Sequence, residues 1–121
     1  MSNRDWRLLL NDILDCITKI EHYVHGMNYD TFIQDNKTID AVVRNLEVIG
    51  EAARLVPVEI QTQYPNVPWA QIVGLRNRLI HGYFAIDEEI IWDIIINELP
   101  ALHDILQQIL HSENNDRTQQ S

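Results

Sequence analysis

Between Gly74 and Phe84 the chain gathers Arg76, Asn77, Arg78, His81 and Tyr83 in one short segment of an otherwise acidic, apolar-rich protein. These are the residue types that phosphodiester chemistry uses. Arginine stabilises charge on a phosphoryl group, and histidine moves protons near neutral pH. With RNA as substrate, one histidine would take the 2′-OH proton and another would protonate the leaving 5′-oxygen. Arginine would hold the charge that builds on phosphorus. The products would be a 2′,3′-cyclic phosphate and a 5′-OH, and no metal or cofactor would be needed.

Spacing alone does not establish such a site, because a histidine also suits the negative end of a helix dipole. An ideal helix adds a difficulty: five residues turn through about 500°, which leaves Arg76 and His81 roughly 140° apart. Asn77 and His81 would share a face, with Arg78 nearby. Arg76 could join His81 only if the helix end bends near Gly82 or a second subunit closes the site. A composite site on a two-fold axis would also provide the second histidine.

Other constellations are weaker. His22 and His25 stand three apart but have no partner pair with convincing metal-ligand spacing, so a solvated face is expected. His103 and His111 read as surface or packing residues. Trp69 and Trp92 fall in apolar stripes and read as core, although tryptophans can also stack on bases. Glu47 and Glu51, with Arg44 and Arg54 on neighbouring turns, read as an ion-paired helix face. The sequence has no phosphate-binding loop, dinucleotide fingerprint or nucleophile elbow.

The elements that must position the segment are helical. Leu9, Ile13, Ile17, Ile20 and Val24 form one stripe, opened by Ser2 with Asp5 and closed at Gly26. A short turn is expected from Tyr29 to Asp35. Ile39, Val42, Val43, Leu46, Ile49 and Ala53 form a second long stripe, with Gly50 inside it as a point of close helix approach. Pro57 ends that helix or begins a short one through Ile60.

Pro68 opens a third helix carrying Trp69, Ile72, Val73, Leu75, Leu79 and Ile80, with Gly82 as its stop. Asp87, Glu88 and Glu89 mark the start of the last helix, which Pro100 should kink. That helix is apolar over more than one stripe, as expected of a buried position or a dimer interface. The expected fold is all-α: an antiparallel bundle of about four main helices in residues 1–111, followed by a flexible polar tail at 112–121.

Composition agrees with one soluble domain. The chain has 121 residues, 45% hydrophobic and 22% charged, and no apolar run suited to crossing a bilayer. Met1 to Asp5 does not read as a signal peptide, and the single cysteine, Cys16, suits a reducing cytoplasm. The formal net charge of −9 lowers the expectation of nucleic-acid binding unless a local basic patch exists.

Arg76-Asn77-Arg78-Leu79-Ile80-His81-Gly82-Tyr83 resembles the R-N-x-x-x-H-x-Y signature of HepT-like proteins of the HEPN superfamily. The opening helix from Leu9 to Tyr23, the stretch from Ile39 to Ala53 with its Ile-Gly-Glu-Ala core, and the helix from Trp92 to Pro100 resemble that family as well. The resemblance implies an all-helical homodimer with the signature motifs meeting in a cleft at its interface. It implies a metal-independent endoribonuclease toxin acting on tRNA or mRNA, paired with a minimal nucleotidyltransferase antitoxin. Arg76 and His81 would be the catalytic pair, Asn77 would support the motif, and Tyr83 would be the residue that the antitoxin adenylylates. Arg78, from its position beside them and not from the resemblance, is expected to support the site as a phosphate contact. The alternative is a noncatalytic helical subunit that binds a nucleotide or serves as substrate of a nucleotidyltransferase.

Overall fold

The computed structural model describes residues 4–81 and 85–120, with side chains for all of these except 80, 81, 85 and 115–120. The chain is an all-α bundle built on two long helices, α1 (Trp6–Tyr23) and α3 (Asn36–Leu55), packed along their apolar stripes. Ile13, Ile17, Ile20, Val42, Leu46 and Ile49 are fully buried between the helices. Burying each such side chain contributes about 1.5–3 kcal/mol.

Local chemistry sets the ends of these helices. Asp5 caps α1 by accepting from the Arg7 N–H, so this carboxylate does the capping expected of Ser2, which lies outside the described residues. Beyond α1 the chain turns at Gly26, whose φ of +79° is one that side chains with a Cβ avoid. Asn28 and Thr31 form a reciprocal capping box on the short α2 (Tyr29–Ile33). Asp35 caps α3 through the Thr38 N–H. Past Pro57, α4 spans Val58–Gln63.

The third helix differs from its sequence expectation. Residues 69–79 form two short helices, α5 (Trp69–Val73) and α6 (Leu75–Leu79), which meet at Gly74. The second ends before Gly82, which lies outside the described residues. Ile80–His81 (β1) is extended and pairs antiparallel with Ala85–Ile86 (β2), Ile80 opposite Ile86 and His81 opposite Ala85. The Leu79 carbonyl accepts from the Asp87 N–H at 3.0 Å, so the strand pair takes over the hydrogen bonding that a longer helix would have used.

The final helical rod starts at α7 (Glu88–Asp93), capped by Asp87 through the Ile90 N–H. Its disturbance near Pro100 takes the form of a π-helical turn, Ile94–Glu98, in which the Leu99 N–H reaches back to the Ile94 carbonyl. Pro100 has no N–H, and its ring would press on the carbonyl four residues back. A widened turn just upstream relieves that conflict.

From there α8 (Leu99–Gln120) continues without a break through the expected boundary at residue 111. No proline or glycine follows Pro100 to stop it. Glu113 also ties it to the body of the protein, accepting from Arg7 and from the Tyr64 hydroxyl.

Candidate active site

The position of the signature segment is set by Gly50. A Cβ at this residue would lie 3.1 Å from the Ile72 carbonyl oxygen and 3.8 Å from Leu75 Cβ. Bare backbone therefore lets α5 and α6 lie close against α3, the role expected of this glycine. Leu75 and Leu79 are buried, which fixes the face of α6 turned to the core and leaves Arg76 and Asn77 exposed.

Those two residues line a groove of about 880 Å³ formed with α1 and α3. Five of the nine Lys and Arg residues line it: Arg4, Lys19, Arg44, Arg54 and Arg76. Four of the eighteen Asp and Glu residues do so among those described, giving the lining a formal charge of +1 against −10 for the rest of the chain. An acidic protein thus concentrates its basic charge beside the signature.

Much of that charge is already paired. Arg4 grips Asp12 through two bonds of 2.9 and 3.0 Å, and Arg54 grips Glu51 through bonds of 3.0 and 2.6 Å. The second pair forms one half of the expected ion-paired face, Glu47 and Arg44 making no ion pair with a described residue, and holds the Glu51 carboxyl below its usual range. No hydrogen bond or ion pair ties Arg76, Lys19 or Arg44 to another described residue. Arg76 is therefore available to an incoming anion, the property that charge stabilisation at a phosphate needs. Cys16 lies buried against the groove, and burial pushes its thiol upward in pKa.

Arg78 behaves differently although it is only two residues from Arg76. Both of its terminal nitrogens bind the Glu98 carboxylate, at 2.9 and 2.6 Å. The fork-on-fork pair holds Arg78 more firmly protonated and straps α6 to the π turn. The Arg78 fork is thus taken up by Glu98, a residue that no sequence motif marks, instead of being left open for a phosphate as its position suggests.

His81 has its backbone in β1, so the ideal-helix separation from Arg76 no longer applies. The path between them passes from helix to strand at Leu79. The His81 side chain and all of Tyr83 lie outside the described residues. Trp69 is buried and donates from Nε1 to the Tyr64 carbonyl at 2.9 Å, while Trp92 packs on Phe32 with ring centroids 5.0 Å apart. Both are structural, as their apolar stripes suggested. His22 and His25 are exposed at the end of α1, and among the described residues no cluster of His, Cys, Asp or Glu has the makings of a metal site. No described helix is long and apolar enough to cross a membrane.

Lys19 and Arg44 went unmarked as site residues in the sequence. Arg44 falls on one stripe with Glu47 and Glu51, but which stripe faces the signature depends on helix packing.

The model of the family described as "Ribonuclease HepT-like" matches residues 13–109. The protein named "Putative RNase MJ0127" from Methanocaldococcus jannaschii is 42% identical over 119 residues, covering 95% of this chain and 98% of that one. The protein named "Putative RNase MJ1380" from the same organism is 40% identical over 102 residues, covering 84% and 94%. "Probable ribonuclease HepT" of Thermococcus cleftensis is 35% identical over 101 residues, covering 84% and 89%. No solved structure matches the chain.

Proposed function

The chain belongs to the ribonuclease HepT-like family, and from that premise we propose that it is a metal-independent endoribonuclease with Arg76 and His81 as its catalytic pair. The observation that carries this reading is the exposed Arg76, unpaired among the described residues and set in the groove where the chain concentrates its basic charge. Its guanidinium would bind the scissile phosphate and stabilise the dianionic phosphorane. His81 would act in proton transfer. In a homodimer with the two signatures facing one cleft, one His81 would serve as base and the other as acid. Asn77, beside Arg76 on the groove, would hold the substrate or the arginine in register.

The same reading makes the protein the toxin of a toxin–antitoxin pair acting on tRNA or mRNA in the cytoplasm. A minimal nucleotidyltransferase antitoxin would adenylylate Tyr83. The added phosphate charge and bulk two residues from His81 would repel and occlude an RNA phosphate.

The test is cleavage of RNA by the purified protein in EDTA, with His81→Ala as the comparison. Cleavage that leaves a 2′,3′-cyclic phosphate and disappears in His81→Ala supports the assignment; full activity of that variant overturns it. Intact-mass measurement after co-expression with the candidate antitoxin tests the off-switch, through addition of AMP that Tyr83→Phe prevents. A protein that binds nucleotide yet cleaves no RNA would instead be the noncatalytic subunit.

A further inference from the structure

Resting on the RNA-cleaving reading, we infer that the groove between α1 and α3 is a track for single-stranded RNA leading to Arg76, with Lys19 and Arg44 as phosphate contacts outside the signature. Of the five basic residues in the groove, Arg4 and Arg54 are neutralised by Asp12 and Glu51. Lys19 and Arg44 are exposed and, like Arg76, make no hydrogen bond or ion pair with a described residue. Lys19 comes to the groove from α1 and Arg44 from α3. Arg76 is on the α6 side of the same groove. The three cations outline a path along α3 from Arg44 to the signature.

The apolar part of the lining favours a single strand. Leu55 and Val73 line the same groove while 47% and 36% exposed, offering apolar surface within reach of the charges. A duplex would present phosphates and sugars to such a surface, whereas a single strand also presents base faces that apolar side chains can cover. No aromatic residue is among the described lining, so binding rests on charge more than on stacking and should be strongly salt-dependent. Asp15 and Glu47 also line the groove and oppose an anion, which makes Glu47 a lever of the opposite sign.

The experiment measures binding of a short fluorescent single-stranded RNA of mixed sequence to full-length His81→Ala protein across a salt series. Further substitutions are Lys19→Gln, Arg44→Gln, Glu47→Gln and, as a control on the exposed surface of α3 outside the groove, Lys37→Gln. Lys19→Gln and Arg44→Gln should each weaken binding about fivefold, the upper range for an exposed ion contact. Each should also lower the salt slope by about 0.7, as expected for one lost phosphate contact on a single strand. Glu47→Gln should tighten binding, and Lys37→Gln should leave it unchanged.

The track is overturned if Lys19→Gln and Arg44→Gln match Lys37→Gln. It is also overturned if these variants change only the sedimentation of the protein, which would make the groove a contact between copies. The two readings fail separately. RNA cleavage by wild type with no effect of Arg44→Gln removes the track alone. Groove-dependent binding by a wild type that cuts nothing removes the catalytic reading.

Discussion

Arg76 and Arg78 sit on the same five-residue helix, two positions apart, yet belong to different parts of the molecule. Arg76 faces the groove of α1 and α3 without a partner among the described residues, and Arg78 faces the π turn with both terminal nitrogens on Glu98. The difference shows that an arginine's role follows from the field of its neighbours. An unpaired guanidinium can serve a substrate phosphate, while one that grips a carboxylate has already used its fork on the protein.

The contrast can be broken most directly at Arg76. Arg76→Ala should lower RNA cleavage by about 10²–10³-fold, the usual loss when one transition-state donor is removed. Its denaturation midpoint should stay at the wild-type value, because the side chain holds no described partner. A clear loss of stability in this variant would place Arg76 in the architecture alongside Arg78.

A smaller effect is expected where the two faces share a support. Gly50→Val should cost about 2 kcal/mol in urea unfolding, the overpacking penalty for side-chain atoms forced against the Ile72 carbonyl. Cleavage should fall with it because α6 is displaced. Unchanged activity at reduced stability would show that α5 and α6 move as a unit without disturbing Arg76.

Glu98→Ala should cost about 1 kcal/mol, since the pair is geometrically good but partly open to solvent. Its effect on cleavage should be smaller than that of Arg76→Ala. Arg78→Lys sharpens the distinction: it keeps the charge but loses the fork, so its stability should fall between wild type and Glu98→Ala. Loss of cleavage as deep as that of Arg76→Ala, with stability intact, would return Arg78 to the reacting centre.

The smallest effect lies away from both faces. Hydrogen bonds from Thr38 lower the pKa of the Asp35 carboxyl. A lowered folded value contributes stability above the unfolded pKa of about 3.9, and that contribution is lost as pH falls through the folded value. Wild type should therefore lose more stability than Asp35→Asn on acidification below about pH 4, with cleavage near neutral pH unaffected. Equal acid sensitivity would show that this cap does not contribute to the pH dependence.

Much of the fold was legible in the sequence because helical periodicity and caps are local. The stripes of α1 and α3, the turn after Asn28, the start at Asp87 and the close approach at Gly50 all follow from residue type and spacing. The third helix ends earlier than its pattern implies, since its apolar residues keep a helical period through Ile80. Pairing with Ala85–Ile86, a contact between distant residues, nevertheless ends it at Leu79. The π turn could be anticipated only as some disturbance near Pro100.

The candidate site divides in the same way. Its residue types, Arg76, Asn77, Arg78, His81 and Tyr83, are written in one segment, and with them the family. Which arginine lacks a partner among the described residues and which is bound is not, because Glu98 is twenty residues from Arg78. Nor does a net charge of −9 reveal a groove whose lining is net positive, since total charge carries no position. Sequence determined the chemistry available, through side-chain identity and local periodicity. Tertiary packing decided its use, because the pairing and exposure of a charge depend on which helix faces meet.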